Sequence, residues 1–106
     1  MRKINTTTYK TTVRSISGEV KEVDYGVKDS LATILFHPGL KLNAIDLLKQ
    51  NKLANKVLES GDELLLEEEE YSRVKAALEV VTGLGKNDVE FVTRILEAET
   101  IEVTEK

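Results

Sequence analysis

Residues Thr6 to Gly26 read TTTYKTTVRSISGEVKEVDYG, and this stretch decides the architecture. Thr6 to Ile16 is rich in Thr and carries Tyr9, Val13 and Ile16, a composition that suits a pleated, half-exposed strand. Ser17-Gly18 is a turn dipeptide, after which Glu19 to Tyr25 resumes with Val20 and Val23 and stops at Gly26. A β-hairpin over residues 1–26 is therefore expected. An isolated two-stranded ribbon is marginal in water, so its apolar face needs helices or a further strand as cover.

The cover is expected from residues 27–99. Asp29 or Ser30 can cap a helix running to about Phe36, with Leu31, Ile34 and Leu35 at helical spacing and His37-Pro38-Gly39 as the stop. Asn43 stands at an N-cap position before Ile45, Leu47 and Leu48, and Leu53, Val57 and Leu58 follow. Gln50-Asn51 interrupts that apolar series, which predicts one bent helix or two short ones. Glu63 to Leu66 offers a short strand, and Glu67 to Glu70 lead into a periodic segment with Tyr71, Val74, Leu78 and Val81 on one face. Acidic residues at a first turn complement the helix dipole. Gly83 and Gly85 read as C-cap residues, and Asn87 or Asp88 as the cap of a last helix from about Val89 to Ala98. The alternation Thr100-Ile101-Glu102-Val103-Thr104 predicts a terminal strand over 100–104 able to add to the hairpin. The expected fold is α+β: an N-terminal β-hairpin and a short C-terminal strand packed against four to five short helices in a single domain, 1–106.

Composition agrees with one self-sufficient domain. A chain of 106 residues buries about two-thirds of its unfolded surface, and 41% hydrophobic against 32% charged residues places it among globular proteins. The absence of Cys excludes disulfides, thiol nucleophiles and thiolate metal sites. No secretory leader is legible in Met1 to Thr8, and no apolar run approaches membrane-spanning length, so a cytoplasmic protein with no membrane contact is expected.

Catalytic patterns fail one by one. Gly83-Leu84-Gly85-Lys86-Asn87 places one residue before its Gly-Lys pair where a phosphate-binding loop needs four, and Asn87 stands where Ser or Thr is required. His37 is the sole His and has no acid or nucleophile near it in sequence, and no Ser lies in a Gly-x-Ser-x-Gly elbow. Asp62, Glu63 and Glu67 to Glu70 lack the alternating acids and central Gly of a calcium loop. No enzyme, catalytic residue, metal or cofactor is expected. Glu67, Glu68, Glu69 and Glu70 are instead read as a helix start and a candidate interaction patch for a basic partner.

Charge is divided along the chain. Residues 1–58 carry ten Lys and Arg against five Asp and Glu, and residues 59–106 carry five against fourteen, giving +5 and −9. Opposite charges on one body favour association, through head-to-tail contacts between copies if they do not meet within a single fold. Lys3, Lys10, Arg14, Lys21 and Lys28 can form a basic strip beside Tyr9 and Tyr25, yet the pI of about 5.1 and the missing aromatic interleaving argue against nucleic acid. The same lysines can guard a strand edge. That Thr-rich edge can also accept a strand from another chain.

Asp29-Ser30-Leu31, the Leu64-Leu65-Leu66 run into the Glu-rich helix, and Asn87-Asp88-Val89-Glu90-Phe91-Val92 together resemble, in style, small accessory proteins encoded by phages and prophages. The resemblance implies a protein that works by binding, as when such products block a host defence. The expected function is a non-enzymatic, self-associating protein acting through contacts with a protein partner or itself as a homo-oligomer. One alternative is an oligomeric small-ligand binder that sequesters a nucleotide or other anion in a pocket between subunits with Lys10, Arg14, Tyr9 and Tyr25. A nucleic-acid-binding regulator is the second alternative.

Overall fold

In the computed structural model, which describes residues 1–101, the chain enters through a strand that its sequence hides. Arg2–Asn5 forms β1, with Ile4 as its single apolar side chain. It lies at the centre of a three-stranded antiparallel sheet, between β4 (Glu63–Leu66) and β5 (Glu99–Thr100). The register sets Ile4 opposite Leu64 and Arg2 opposite Leu66. Ile4, Leu64 and Leu66 are all buried, while Lys3 on the other face reaches Glu63 at 3.4 Å and Glu99 at 4.0 Å.

The predicted hairpin is β2 (Tyr9–Arg14) and β3 (Val20–Tyr25), a separate two-stranded sheet. Its first strand begins at Tyr9 rather than Thr6, because Thr6 is tied to the end of the other sheet. The Thr6 amide donates to the Asp62 carbonyl at 2.9 Å and its hydroxyl to the Gly61 carbonyl at 2.8 Å. At the hairpin tip the Gly18 amide donates to the Ser15 carbonyl and the Ser15 amide to the Glu19 carbonyl. Gly18 sits at φ 87°, the left-handed position that closes a three-residue loop of this kind.

Four α-helices complete the body: α1 (Val27–Ile34), α2 (Ala44–Glu59), α3 (Glu68–Val80) and α4 (Val89–Leu96). Helix α1 starts at Val27, before the expected Asp29 or Ser30, because Gly26 in extended conformation turns the chain out of β3 directly into the helix. Helix α2 is one helix of 16 residues, capped by the Asn43 side chain on the Asp46 amide at 2.8 Å. Gln50 does not interrupt it. Its amide is buried, donates to the Leu35 carbonyl at 3.0 Å and accepts from Arg73 at 3.2 Å, so a polar residue occupies a core position with its bonds satisfied. Helix α3 ends without a glycine cap. Val81 leaves the helix in extended conformation, and Gly83, at φ 79°, lies in the loop beyond.

The C-terminal strand departs from its expected place. It adds to β1 and not to the hairpin, with Lys3 opposite Glu99, and residues 102–104 of the predicted strand lie outside the described residues. Met1 and Ile101 extend the pairing through two main-chain bonds of 3.0 and 2.8 Å. The free edge of β1 is the physical reason, since it offers partners beside the core.

Ile4, Val27, Leu31, Leu35, Val57, Leu66, Val74 and Ile95 are completely buried and form the centre of one core shared by all four helices and the three-stranded sheet. No helix among the described residues is long and apolar enough to cross a membrane.

Candidate functional site

Tyr9 and Tyr25 face each other across the hairpin, and their rings stack 4.7 Å apart at 11°. Tyr25 lies on Phe91 of α4 with ring centroids 5.7 Å apart, and the Arg94 guanidinium covers Tyr9 at 5.0 Å. Both phenols are committed to the turn before α4. Tyr9 donates to the Asn87 carbonyl at 2.8 Å and accepts from the Phe91 amide at 3.2 Å, and Tyr25 donates to the Asp88 carboxylate at 2.7 Å. Burial pushes both phenols above their ordinary value, and for Tyr25 the bond to Asp88 adds to the rise. These rings, both half-buried, anchor the root of the hairpin.

Side chains alternate across a strand, so Tyr9, Thr11 and Val13 share a face with Lys21, Val23 and Tyr25. Lys10, Thr12 and Arg14 share the opposite face with Val20, Glu22 and Asp24. Within one chain the four residues expected to hold an anion therefore do not converge: Tyr9 and Tyr25 lie on one face of the hairpin, and Lys10 and Arg14 on the other. Lys10 is further bound to Asp24 directly across the ladder, which raises its pKa. The wider basic strip is dispersed too. Lys3 belongs to the other sheet, Lys21 lies on the tyrosine face, and Lys28 donates to the Ser60 carbonyl.

The acidic tetrad is divided among neighbours. Glu70 accepts from the Glu67 amide at 3.0 Å, closing the start of α3, and from Lys56 at 2.8 Å. Glu68 pairs with Arg2 at 3.1 Å, and Glu69 lies 4.0 Å from Arg73, which also reaches Asp46 at 3.5 Å. Of the eight ion pairs among the described residues, four set a cation of residues 1–58 (Arg2, Lys3 twice, Lys56) against a carboxylate of residues 59–106. Part of the charge division is thus met within the fold, through Arg2, Lys3 and Lys56. A monomer of 11.9 kDa is accordingly expected by light scattering at both low and high salt. A salt-sensitive multimer would show that charges between copies outweigh those within one.

Two other sequence candidates have local roles. The His37 ring accepts from the Gly39 amide at 3.0 Å and so caps a single 3-10 turn, Pro38–Leu40. In the glycine loop the Gly85 amide is turned onto Asp88 at 2.8 Å, where a phosphate-binding loop would leave it open. Among the described residues no three acidic, His or Cys side chains gather as a metal site would require.

Exposed aliphatic side chains gather in two places: the first turns of α2, where Ile45 and Leu48 are 67% and 66% exposed, and the outer half of the hairpin. Beyond the tyrosine pair, Val13, Val20 and Val23 are 46%, 59% and 38% exposed, and Ile16 at the tip is fully exposed. The radius of gyration is 15.1 Å, against about 13 Å expected for a chain of this length, and the long dimension reaches 55 Å. The hairpin is an arm held to the body at its root.

No family model, curated protein or solved structure matches this chain.

The arm is the candidate site, because its exposed aliphatic side chains lie on a strand pair that packs on the core only through Tyr9 and Tyr25. Sequence reading located its strands and misjudged their cover. Lys10, Arg14, Glu22 and Asp24 on one face, and Thr11 and Lys21 on the other, are the signal, since they leave too few apolar residues for either face to lie fully on helices.

Proposed function

We propose that this chain is a non-enzymatic binding protein that acts through contacts with another protein, made by the outer half of its β2–β3 arm. The observation that carries this reading is the set of aliphatic side chains Val13, Ile16, Val20 and Val23, held in water on one rigidly anchored element. Several of the polar groups weighed for other functions have partners within the fold. Lys10 is held by Asp24, Glu68 by Arg2 and Glu70 by Lys56. Sequestration of a nucleotide loses its support when Lys10 and Arg14 lie on the face opposite Tyr9 and Tyr25. Blocking or regulating a partner, as the phage-like style suggests, needs such a surface and no reacting group.

Photo-crosslinking in the producing cells tests the proposal. With a photoreactive residue in place of Ile16, one adduct of defined mass is expected, joining this chain to a different protein. The same group in place of Glu79, exposed on α3, should give none. No adduct from Ile16, or equal adducts from both positions, would overturn the assignment to the arm. An adduct of two copies of this chain would return the function to self-association.

A further inference from the structure

The arm has two outer edges, and they differ. The bonds at the tip, Gly18 amide to Ser15 carbonyl and Ser15 amide to Glu19 carbonyl, set which residues bond across the ladder. With Ser15 directed inward, Val13 and Lys21, Thr11 and Val23, and Tyr9 and Tyr25 are also inward pairs. The main-chain groups of Lys10, Thr12 and Arg14 therefore point away from β3, and those of Val20, Glu22 and Asp24 point away from β2. On the β2 side this is seen directly, because the Thr12 carbonyl accepts from the Asn87 side chain at 2.9 Å. Lys86, Asn87 and Glu90 also stand beside β2 and line a shared cleft of about 540 Å³. Along β3, no hydrogen bond among the described residues engages Val20, Glu22 or Asp24 outside the hairpin ladder.

We infer that the outer edge of β3 takes up an extended segment of another protein in which Lys or Arg alternates with β-branched residues. This deepens the binding function proposed above and rests on it. A strand added there places alternate residues on the two faces of the arm. On one face its side chains stand beside Val20, Glu22 and Asp24. Glu22 has no ion-pair partner among the described residues, whereas Asp24 is bound to Lys10, so the unbalanced charge on this face of β3 is negative and favours a cation. On the other face they stand beside Lys21 and Val23, and Val23 offers an apolar contact. Lys21 likewise has no ion-pair partner among the described residues and repels a cation on this face, so charge complementarity specifies a strand with Lys or Arg on the Glu22 face alone and β-branched residues on the other.

The same charges disfavour a second copy of this chain. Antiparallel pairing of β3 with itself sets Glu22 against Glu22 in the central register. A shift one way sets Glu22 against Asp24, and a shift the other way sets Lys21 against Lys21. The basic strand β2 of another copy is impeded as well, since Asn87 occupies the edge it would need to present.

The test uses the full chain and a short capped peptide of alternating Lys and Val, with a peptide of alternating Glu and Val as control. The basic peptide is expected to bind about tenfold more tightly than the acidic one, and the preference should shrink in high salt. It should slow hydrogen exchange at the amides of Val20, Glu22 and Asp24 and leave those of Lys21 and Val23 unchanged. Glu22→Lys should reverse the peptide preference. Glu22→Pro removes one outward amide and spares the bonds to β2, so it should abolish binding of both peptides with the hairpin intact by circular dichroism. Equal binding of the two peptides, or protection elsewhere than at β3, would overturn the inference. If the peptides fail while the Ile16 crosslink persists, the arm docks by its side chains and the edge is closed. If both fail, the binding function falls with it.

Discussion

Replacing Phe91 by Ala is expected to cost about 3–5 kcal/mol of stability, a large share of the roughly 5–15 kcal/mol available to a domain of this kind. Phe91 is 1% exposed, and its ring lies beneath Tyr25. Truncation removes the transfer energy of a large aromatic group and leaves a cavity that the stacked tyrosines cannot fill without giving up their bonds to Asn87 and Asp88. The effect should be read twice. Urea titration should show a lower midpoint for global unfolding, and hydrogen exchange should show the amides of Tyr9, Thr11 and Val13, which bond to β3, losing protection beyond that global loss. A decrease below about 1 kcal/mol would mean that the arm root contributes little to the fold. The arm would then be free to move as a unit, and its edge would not be presented in one orientation.

Ile4→Ala is expected to cost about 2–5 kcal/mol by the same physics. Ile4 is completely buried, and it is the only apolar residue of the strand on which the three-stranded sheet is built. It lies opposite Leu64 and on the core, with β4 and β5 on either side. Its neighbours in β1, Arg2 and Lys3, have polar duties: Arg2 lies 4.7 Å over the Tyr71 ring and donates to the Ala98 carbonyl at 3.2 Å. The deletion should destabilise the whole domain cooperatively, with one transition by fluorescence and by circular dichroism. Preserved stability after Ile4→Ala would show that β1 is held by its main-chain ladder alone.

These two residues also mark where the chain was legible. Phe91 lies in a helix that apolar spacing announces and that runs close to its expected bounds, but the face it buries differs from the expected stripe of Val89, Val92, Ile95 and Leu96: Phe91 and Ile95 are buried, whereas Val89 and Leu96 are 61% and 47% exposed. The short strand Glu63–Leu66 and the hairpin turn at Gly18 were equally readable, because alternation and a left-handed glycine are local signals. Ile4 had no such signal. A strand with one apolar residue among Arg2, Lys3 and Asn5 is stabilised by partners 60 and more residues away, and pattern reading within a short window does not contain them. Gln50 was misread for the same reason, since its polarity suggests a break until the Leu35 carbonyl and Arg73 are seen to meet it.

The candidate site divides in the same way. By itself the sequence determined the α+β class, the hairpin, the buried stripes of α1 and α3 and the uneven charge, all of which depend on residue type and near spacing, whereas Ile45, Leu47 and Leu48 of α2 and Val89 and Leu96 of α4, read as apolar faces, stay exposed. Only the tertiary structure decided that Lys10 and Arg14 face away from Tyr9 and Tyr25, that Arg2 and Lys56 neutralise Glu68 and Glu70, and that the terminal strand joins β1 and leaves β3 open. The physical reason is that a binding surface is defined by what remains unpaired after folding. Which donors, acceptors and apolar faces are consumed depends on long-range partners, and the choice of those partners is settled by the packing of the whole core.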